Sequence, residues 1–149
     1  MAGGARRRRA AIRGGAPLIR GFGDVGHSVR THADVAIVGS GAGGAVLAKE
    51  LAERGRSVVV LEEGGHYTAR DFTSRTYDMM RLLYRDMGVT GSLGQPAIPI
   101  AVGRCVGGST VVNGGTCWRT PDRVLERWAM EHGLGDAGPA DMKPYFERV

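Results

Sequence analysis

Residues 33–63 read ADVAIVGSGAGGAVLAKELAERGRSVVVLEE, and the order of patterns within them decides the fold. Asp34 to Val38 is a short, largely β-branched apolar run of the kind that forms a strand covered on both faces of a parallel sheet. Gly39, Gly41 and Gly44 then make the G-x-G-x-x-G spacing. In a strand-to-helix turn the first glycine permits the tight reversal. The second lets a pyrophosphate approach the backbone, and the third lets helix and strand pack closely. From Ala42 to Arg54 no proline interrupts, Val46, Leu47 and Leu51 recur at helical spacing, and Gly55 suits the left-handed position after a helix. Ser57 to Leu61 reads as a second strand with Glu62 at its carboxyl end.

This context separates the motif from a chance spacing in a chain with 25 glycines. The unfilled N–H groups and positive dipole end of the helix favour a pyrophosphate. Glu62 stands where a carboxylate accepts a hydrogen bond from an adenosine ribose hydroxyl, and its charge would repel a 2′-phosphate. The ligand expected is therefore FAD or NAD rather than NADP. The bland alternative is a βαβ unit whose glycine turn is purely structural.

Away from this stretch, the composition is that of a globular protein: 149 residues, 42% apolar and 23% charged. The net charge of +5 suggests nucleic-acid binding until its location is considered. Residues 1–33 hold seven arginines against Asp24 alone, whereas residues 34–149 hold 13 basic and 14 acidic side chains. The excess belongs to an amino-terminal extension, residues 1–31, rich in Gly, Ala and Arg and expected to be disordered to at least Pro17. No nucleic-acid partner is expected. Arg6 to Arg9 are followed by no apolar run of signal-peptide length, so a cytoplasmic setting is expected, with organelle targeting or contact with anionic lipid as alternatives. No stretch reads as a transmembrane segment. Phe22 to Val29 reads as a short segment preceding the first strand.

Cys105 and Cys117 are too few for a disulfide framework and lack metal-ligand spacing. His27, His32, His66 and His132 join no catalytic constellation, so neither a metal site nor a catalytic residue is assigned. Glu63 to His66 reads as a flexible loop. A helix capped by Thr73 or Ser74 follows, with Met80, Leu83, Tyr84 and Met87 on one stripe before Gly88. Between Gly91 and Gly103, Pro96 and Pro99 bar a central strand and leave an edge strand or extended crossing. Farther on, Thr120 is expected to cap a helix with Pro121 first and Val124, Leu125, Trp128 and Ala129 inward, ending at Gly133. A last helix starts near Asp141.

Residues 103–119, GRCVGGSTVVNGGTCWR, form a second signature. Gly107, Gly108, Gly114 and Gly115 bracket Ser109, Thr110 and Asn113, giving bare backbone N–H groups beside short polar side chains. On its residues alone, this is either a second ligand loop or a glycine-rich turn capped by Ser109. Together with the first motif it resembles the flavin-contacting signature of the glucose–methanol–choline (GMC) oxidoreductases, FAD-dependent enzymes that oxidise alcohols. The resemblance covers residues 32–149. It implies an α/β, Rossmann-like FAD-binding βαβ unit with an incomplete sheet, in which residues 32–149 are the amino-terminal part of the FAD-binding domain.

By that resemblance Ser109, Asn113, Gly114 and Thr116 contact FAD along with Gly108. Ala42, Gly43 and Glu62 match the pyrophosphate and ribose positions beside Gly39, Gly41 and Gly44. The family abstracts the alcohol proton with a carboxyl-terminal histidine that nothing in these residues matches. The expectation is thus the cofactor-binding piece of a longer enzyme with a small-molecule alcohol substrate, inactive by itself. Two other readings stand beside it: an NAD-dependent dehydrogenase or reductase, against which the second signature speaks, and a non-catalytic nucleotide-binding module.

Overall fold

The computed structural model describes residues 19–25 and 28–148. The chain divides into two units, Met1–His32 and Ala33–Val149. In the first, Phe22–Asp24 form one 3₁₀ turn, closed by the Gly21 N–H donating to Asp24 Oδ2 at 2.8 Å. The extension to Pro17 with Arg6 to Arg9, His27 and the terminal Val149 lie outside the described residues.

In the second unit, β1 (Val35–Val38), α1 (Ala42–Glu53) and β2 (Val58–Leu61) follow one another as the glycine motif requires. The strands pair in parallel, Val35 with Val58 through Val38 with Leu61. At the foot of the pair Asp34 and Ser57 clamp one another. The Asp34 N–H donates to Ser57 Oγ at 2.9 Å, and both the Ser57 N–H and its hydroxyl donate to Asp34 Oδ2 at 2.8 Å. At the other end the Gly39 N–H reaches the Leu61 carbonyl at 2.7 Å, carrying the ladder into the turn. Gly39 (φ 88°) and Gly55 (φ 73°) take left-handed conformations that bracket α1. The third motif glycine meets its expected constraint, since a Cβ on Gly44 would stand 2.1 Å from the Gly39 carbonyl oxygen.

The expectation of a doubly covered strand is not met among the described residues. Only Ile37 of β1 is buried, and Val38 is 87% exposed. The described sheet has two strands, and α1 packs against both. Two strands and one helix remove too little surface from water to bury more.

Other elements depart from their sequence patterns for physical reasons. α2 (Thr76–Leu83) begins with Arg75 at the N-cap position, and neither Thr73 nor Ser74 caps it. It stops at Leu83 rather than running to Gly88, because the chain there enters cross-chain pairing. The Arg85 N–H bonds the Val102 carbonyl at 2.8 Å and the Arg104 N–H bonds the Leu83 carbonyl at 2.7 Å. Tyr84 is extended, and Arg85–Gly88 form a 3₁₀ turn with Asp86 (φ 46°) and Met87 (φ 55°) left-handed. Residues 91–103 form no strand; a doubled-back loop brings Gly91 opposite Pro99, and the Gln95–Pro96 bond is cis.

Glu63 to His66 is a packed segment rather than a flexible loop. Gly65 pairs in parallel with Cys105, and the Val106 N–H donates to the Gly65 carbonyl at 2.9 Å. Gly64 permits this, since a Cβ there would lie 2.3 Å from the backbone of Arg104 and Cys105. The second signature then makes one helical turn, α3 (Ser109–Val112).

α4 (Asp122–His132) has Pro121 at its N-cap, one residue off the expected placement, with no side-chain cap from Thr120. It ends on left-handed Gly133 (φ 66°), as its sequence requires. Leu125 is its one fully buried residue, and Trp128 remains half-exposed. α5 (Pro139–Arg148) starts two residues before Asp141 and carries Pro144 inside it. Arg148 of α5 and Arg54, which follows α1, share the carboxylate of Glu50 on α1 at 2.6 and 3.2 Å, so an ion-pair triad ties the last helix to the first.

Candidate functional site

The register of β1 and β2 brings the turn after β1 alongside the residue after β2. Glu62 therefore faces Ser40, and the backbone N–H and hydroxyl of Ser40 both donate to Glu62 Oε2, at 2.8 and 2.6 Å. The Gly64 N–H donates to Oε1 at 2.8 Å. Partial burial by itself would raise the Glu62 carboxyl. The hydrogen bonds from the Ser40 hydroxyl, and from the backbone N–H groups of Gly64, Ser40 and Glu63, outweigh it and hold the group below the usual carboxylate range. The side chain is thus an anion at neutral pH, with Oε1 the less committed of its two oxygens.

The second signature reaches the same place from the other side. The Gly107 N–H donates to Ser40 Oγ at 2.9 Å across 67 positions of sequence. A Cβ on Gly108 would stand 3.1 Å from Gly41 Cα, so the two glycine loops lie backbone against backbone. Gly107 (φ 96°) and Gly108 (φ 56°) adopt conformations that L side chains rarely take. A Cβ on Gly103 would meet the Gly108 carbonyl oxygen at 2.5 Å, which fixes the entry of the loop as tightly as its turn.

Cys105 is buried beneath this junction at 1% exposure. Burial, then the nearby Glu62 charge, push its thiol upward against a weaker opposing effect of the Gly108 backbone. It is a neutral packing group here, whereas Cys117 is exposed.

Of the residues singled out in the sequence, the structure gathers Gly39, Gly41, Ala42, Gly43, Gly44, Glu62 and Gly108 at one end of the two-stranded sheet. A Cβ on Gly39, Gly41 or Gly43 would meet nothing within 4 Å, which leaves open space over the turn and the start of α1. Ser109, Asn113, Gly114 and Thr116 sit on the following exposed stretch with local bonding. Ser109 Oγ accepts the Gly103 N–H at 3.1 Å, and Asn113 Oδ1 accepts the Gly115 and Thr116 N–H groups at 2.8 and 3.2 Å. Ser109 is therefore the first residue of α3, not a cap. Sequence reasoning missed Ser40 and Gly64, and named Gly107 only as one of the glycines of the second loop. The one available signal was a hydroxyl residue standing between the first two motif glycines.

A parallel strand pair, a glycine turn opening a helix, and an acid at the second strand's tip define a Rossmann-like nucleotide-binding unit. Residues 37–86 match the model for the NAD(P)-binding Rossmann-like domain, and residues 80–149 match that for GMC oxidoreductase. A GMC-type oxidoreductase of Mycobacterium tuberculosis (strain ATCC 25618 / H37Rv) is 52% identical over 110 residues, 73% of this chain and 18% of that protein. The long-chain-alcohol oxidase FAO4B of Arabidopsis thaliana is 40% identical over 100 residues, 67% of this chain and 13% of that one. Among solved structures, pyridoxine 4-oxidase from Mesorbium loti superposes with a TM-score of 0.56 at 26% identity, over 77% of this chain and 24% of that one. The chain belongs to the GMC oxidoreductase family. It spans less than a quarter of the length of each of these three relatives.

Proposed function

We propose that this chain provides the FAD-holding part of an oxidoreductase that oxidises a CH–OH donor. The observation that carries this reading is the meeting of two glycine loops on Ser40, with the Glu62 anion beside them. The fit is favourable: the open space at Gly39, Gly41 and Gly43 lies at the start of α1, where free N–H groups suit a pyrophosphate. Gly39, Gly41, Ala42, Gly43 and Gly44 would hold the pyrophosphate, and Glu62 Oε1 would accept from the adenosine ribose. Gly108, Ser109, Asn113, Gly114 and Thr116 would border the remainder of the cofactor. Residues 32–149 form the amino-terminal part of that FAD-binding domain, with 1–31 as an extension outside it.

Bound FAD supplies a two-electron acceptor for the hydride of the carbinol carbon. The chain's own part is to bind and orient. The Glu62 anion disfavours a 2′-phosphate, and the backbone N–H groups at the head of α1 offset the pyrophosphate charge. No residue of this chain is assigned the proton-accepting role, which the reading gives to a histidine outside residues 1–149. A second reading, NAD as ligand, is supported by the Rossmann-like match over residues 37–86.

The test is anaerobic mixing of the purified full-length protein with a panel of alcohols. Long-chain primary alcohols, sterols and pyridoxine are included because relatives carry those names. Loss of visible flavin absorbance with one class of alcohol supports the reading. A colourless protein that binds NAD and reduces it with an alcohol refutes it in favour of the second.

A further inference from the structure

Three stretches distant in sequence meet on one hydroxyl group. Ser40 Oγ gives its single proton to Glu62 Oε2 at 2.6 Å and accepts the Gly107 N–H at 2.9 Å, while the Ser40 backbone N–H donates to the same carboxylate oxygen at 2.8 Å. We propose that Ser40 is a positioning residue that sets the Glu62 carboxylate for the adenosine ribose, beyond the structural contact it makes with the second glycine loop. The proposal rests on the FAD reading above.

Hydrogen-bond capacity assigns the two carboxylate oxygens different tasks. A carboxylate has about four acceptor positions; two donors from Ser40 on Oε2 and the Gly64 N–H on Oε1 leave Oε1 as the oxygen with a position for a ligand. Without the Ser40 hydroxyl the carboxylate is held by backbone donors alone and gains freedom to turn. The same loss leaves the Gly107 N–H without its acceptor. Gly107 is left-handed, and a Cβ on it would come within 2.7 Å of Val111 Cγ2, so the donor cannot readily be re-aimed by a substitution within the loop. The donation to an anion also makes Ser40 Oγ a better acceptor, so the two bonds reinforce one another. Ser40 thus joins the two ends of the proposed FAD site through one atom.

A purely structural latch and a positioning residue are separated by a double-mutant cycle on the FAD dissociation constant of the full-length protein, using Ser40→Ala, Glu62→Gln and the pair. Ser40→Ala is expected to weaken FAD binding by about 10- to 100-fold, in the range for losing a hydrogen bond to a charged group. In the Glu62→Gln background the same change is expected to cost less than about threefold. Equal losses in both backgrounds would overturn the proposal and leave the FAD reading standing. An unchanged affinity in Glu62→Gln alone would instead remove Glu62 from the FAD site, which is a failure of the underlying reading.

A pH profile of FAD affinity adds a readout that a latch would not move. Ser40→Ala removes a bond to the charged form of Glu62, so acid loss of FAD binding should begin at higher pH than in the parent. Of the ionisable groups nearby, the Cys105 thiol feels the Glu62 charge and Glu63, the next residue in sequence, pairs with Arg85; the Ser40 hydroxyl bonds neither. An unshifted acid limb would also overturn the proposal. Should Ser40→Ala fail to fold, Ser40→Cys, similar in size and a weak donor, takes its place in the cycle.

Discussion

Gly41 and Gly44 belong to one motif, yet the structure gives them opposite surroundings, and a pair of alanine substitutions can separate what each does. A Cβ on Gly44 would stand 2.1 Å from the Gly39 carbonyl oxygen, well inside the 3.0 Å that such contacts respect, and 3.4 Å from Ile37 Cγ2, an ordinary contact. Gly39 cannot readily swing aside, because its N–H is bonded to the Leu61 carbonyl and its φ is 88°. Relief must come from α1 lifting off β1, over Ile37, the buried residue of that strand. Overpacking of this kind costs about 1–3 kcal/mol. Gly41 has φ −66° and ψ −169°, which any residue adopts, and nothing lies within 4 Å of its Cβ position. Gly41→Ala should therefore leave the apoprotein unharmed or more stable by about 0.4–1 kcal/mol through the unfolded chain. It should weaken FAD by about 10- to 150-fold if the methyl displaces a charge-assisted contact to the pyrophosphate. Denaturant unfolding of the apoprotein and FAD titration together provide the assay. Equal destabilisation by the two substitutions, or unchanged FAD affinity in Gly41→Ala, would refute the division of roles.

Three further outcomes follow from the same geometry. Cys105, at 1% exposure and with its thiol pushed upward, should resist alkylation in the native protein while exposed Cys117 reacts; mass spectrometry after a short treatment distinguishes them, and modification of Cys105 first would contradict the packing. Glu62 is held below its ordinary value of 4.5, so its contribution to stability is full above that pH and is lost as pH falls through its lower folded value; unfolding followed from neutral pH into acid should show that Glu62→Gln loses less stability than the parent, and parallel curves would contradict it. Leu125→Ala should destabilise by about 2–5 kcal/mol because Leu125 is buried at 2% exposure on α4; a shift below about 0.5 kcal/mol, the range of ordinary surface substitutions, would contradict its place in the core.

The strand–turn–helix–strand unit was legible because its signals are local. Alternating turn and apolar residues set β1, α1 and β2, and Gly55 and Gly133 mark helix ends by conformations that only glycine takes easily. What escaped the sequence is set by contacts between distant segments. The stripe from Met80 to Met87 has helical spacing, yet Tyr84 is drawn out of the helix by pairing with Gly103, a partner no local pattern reveals. Gly64 reads as a loop residue, but its missing side chain is what lets the Cys105 segment dock. The contacts of Ser40 were hidden for the same reason: its partners lie 22 and 67 positions away, at Glu62 and Gly107. Val38 erred in the other direction, because apolar character reports a preference for burial and not the presence of a covering partner.

The central claim is that the two glycine loops and Glu62 hold FAD. Its most direct test is to purify the full-length protein, record its visible spectrum, and identify the nucleotide released on denaturation. The account predicts a yellow protein that releases FAD at close to one per chain, and a Glu62→Ala variant that retains it less firmly. A colourless protein that takes up NAD but not added FAD would contradict it.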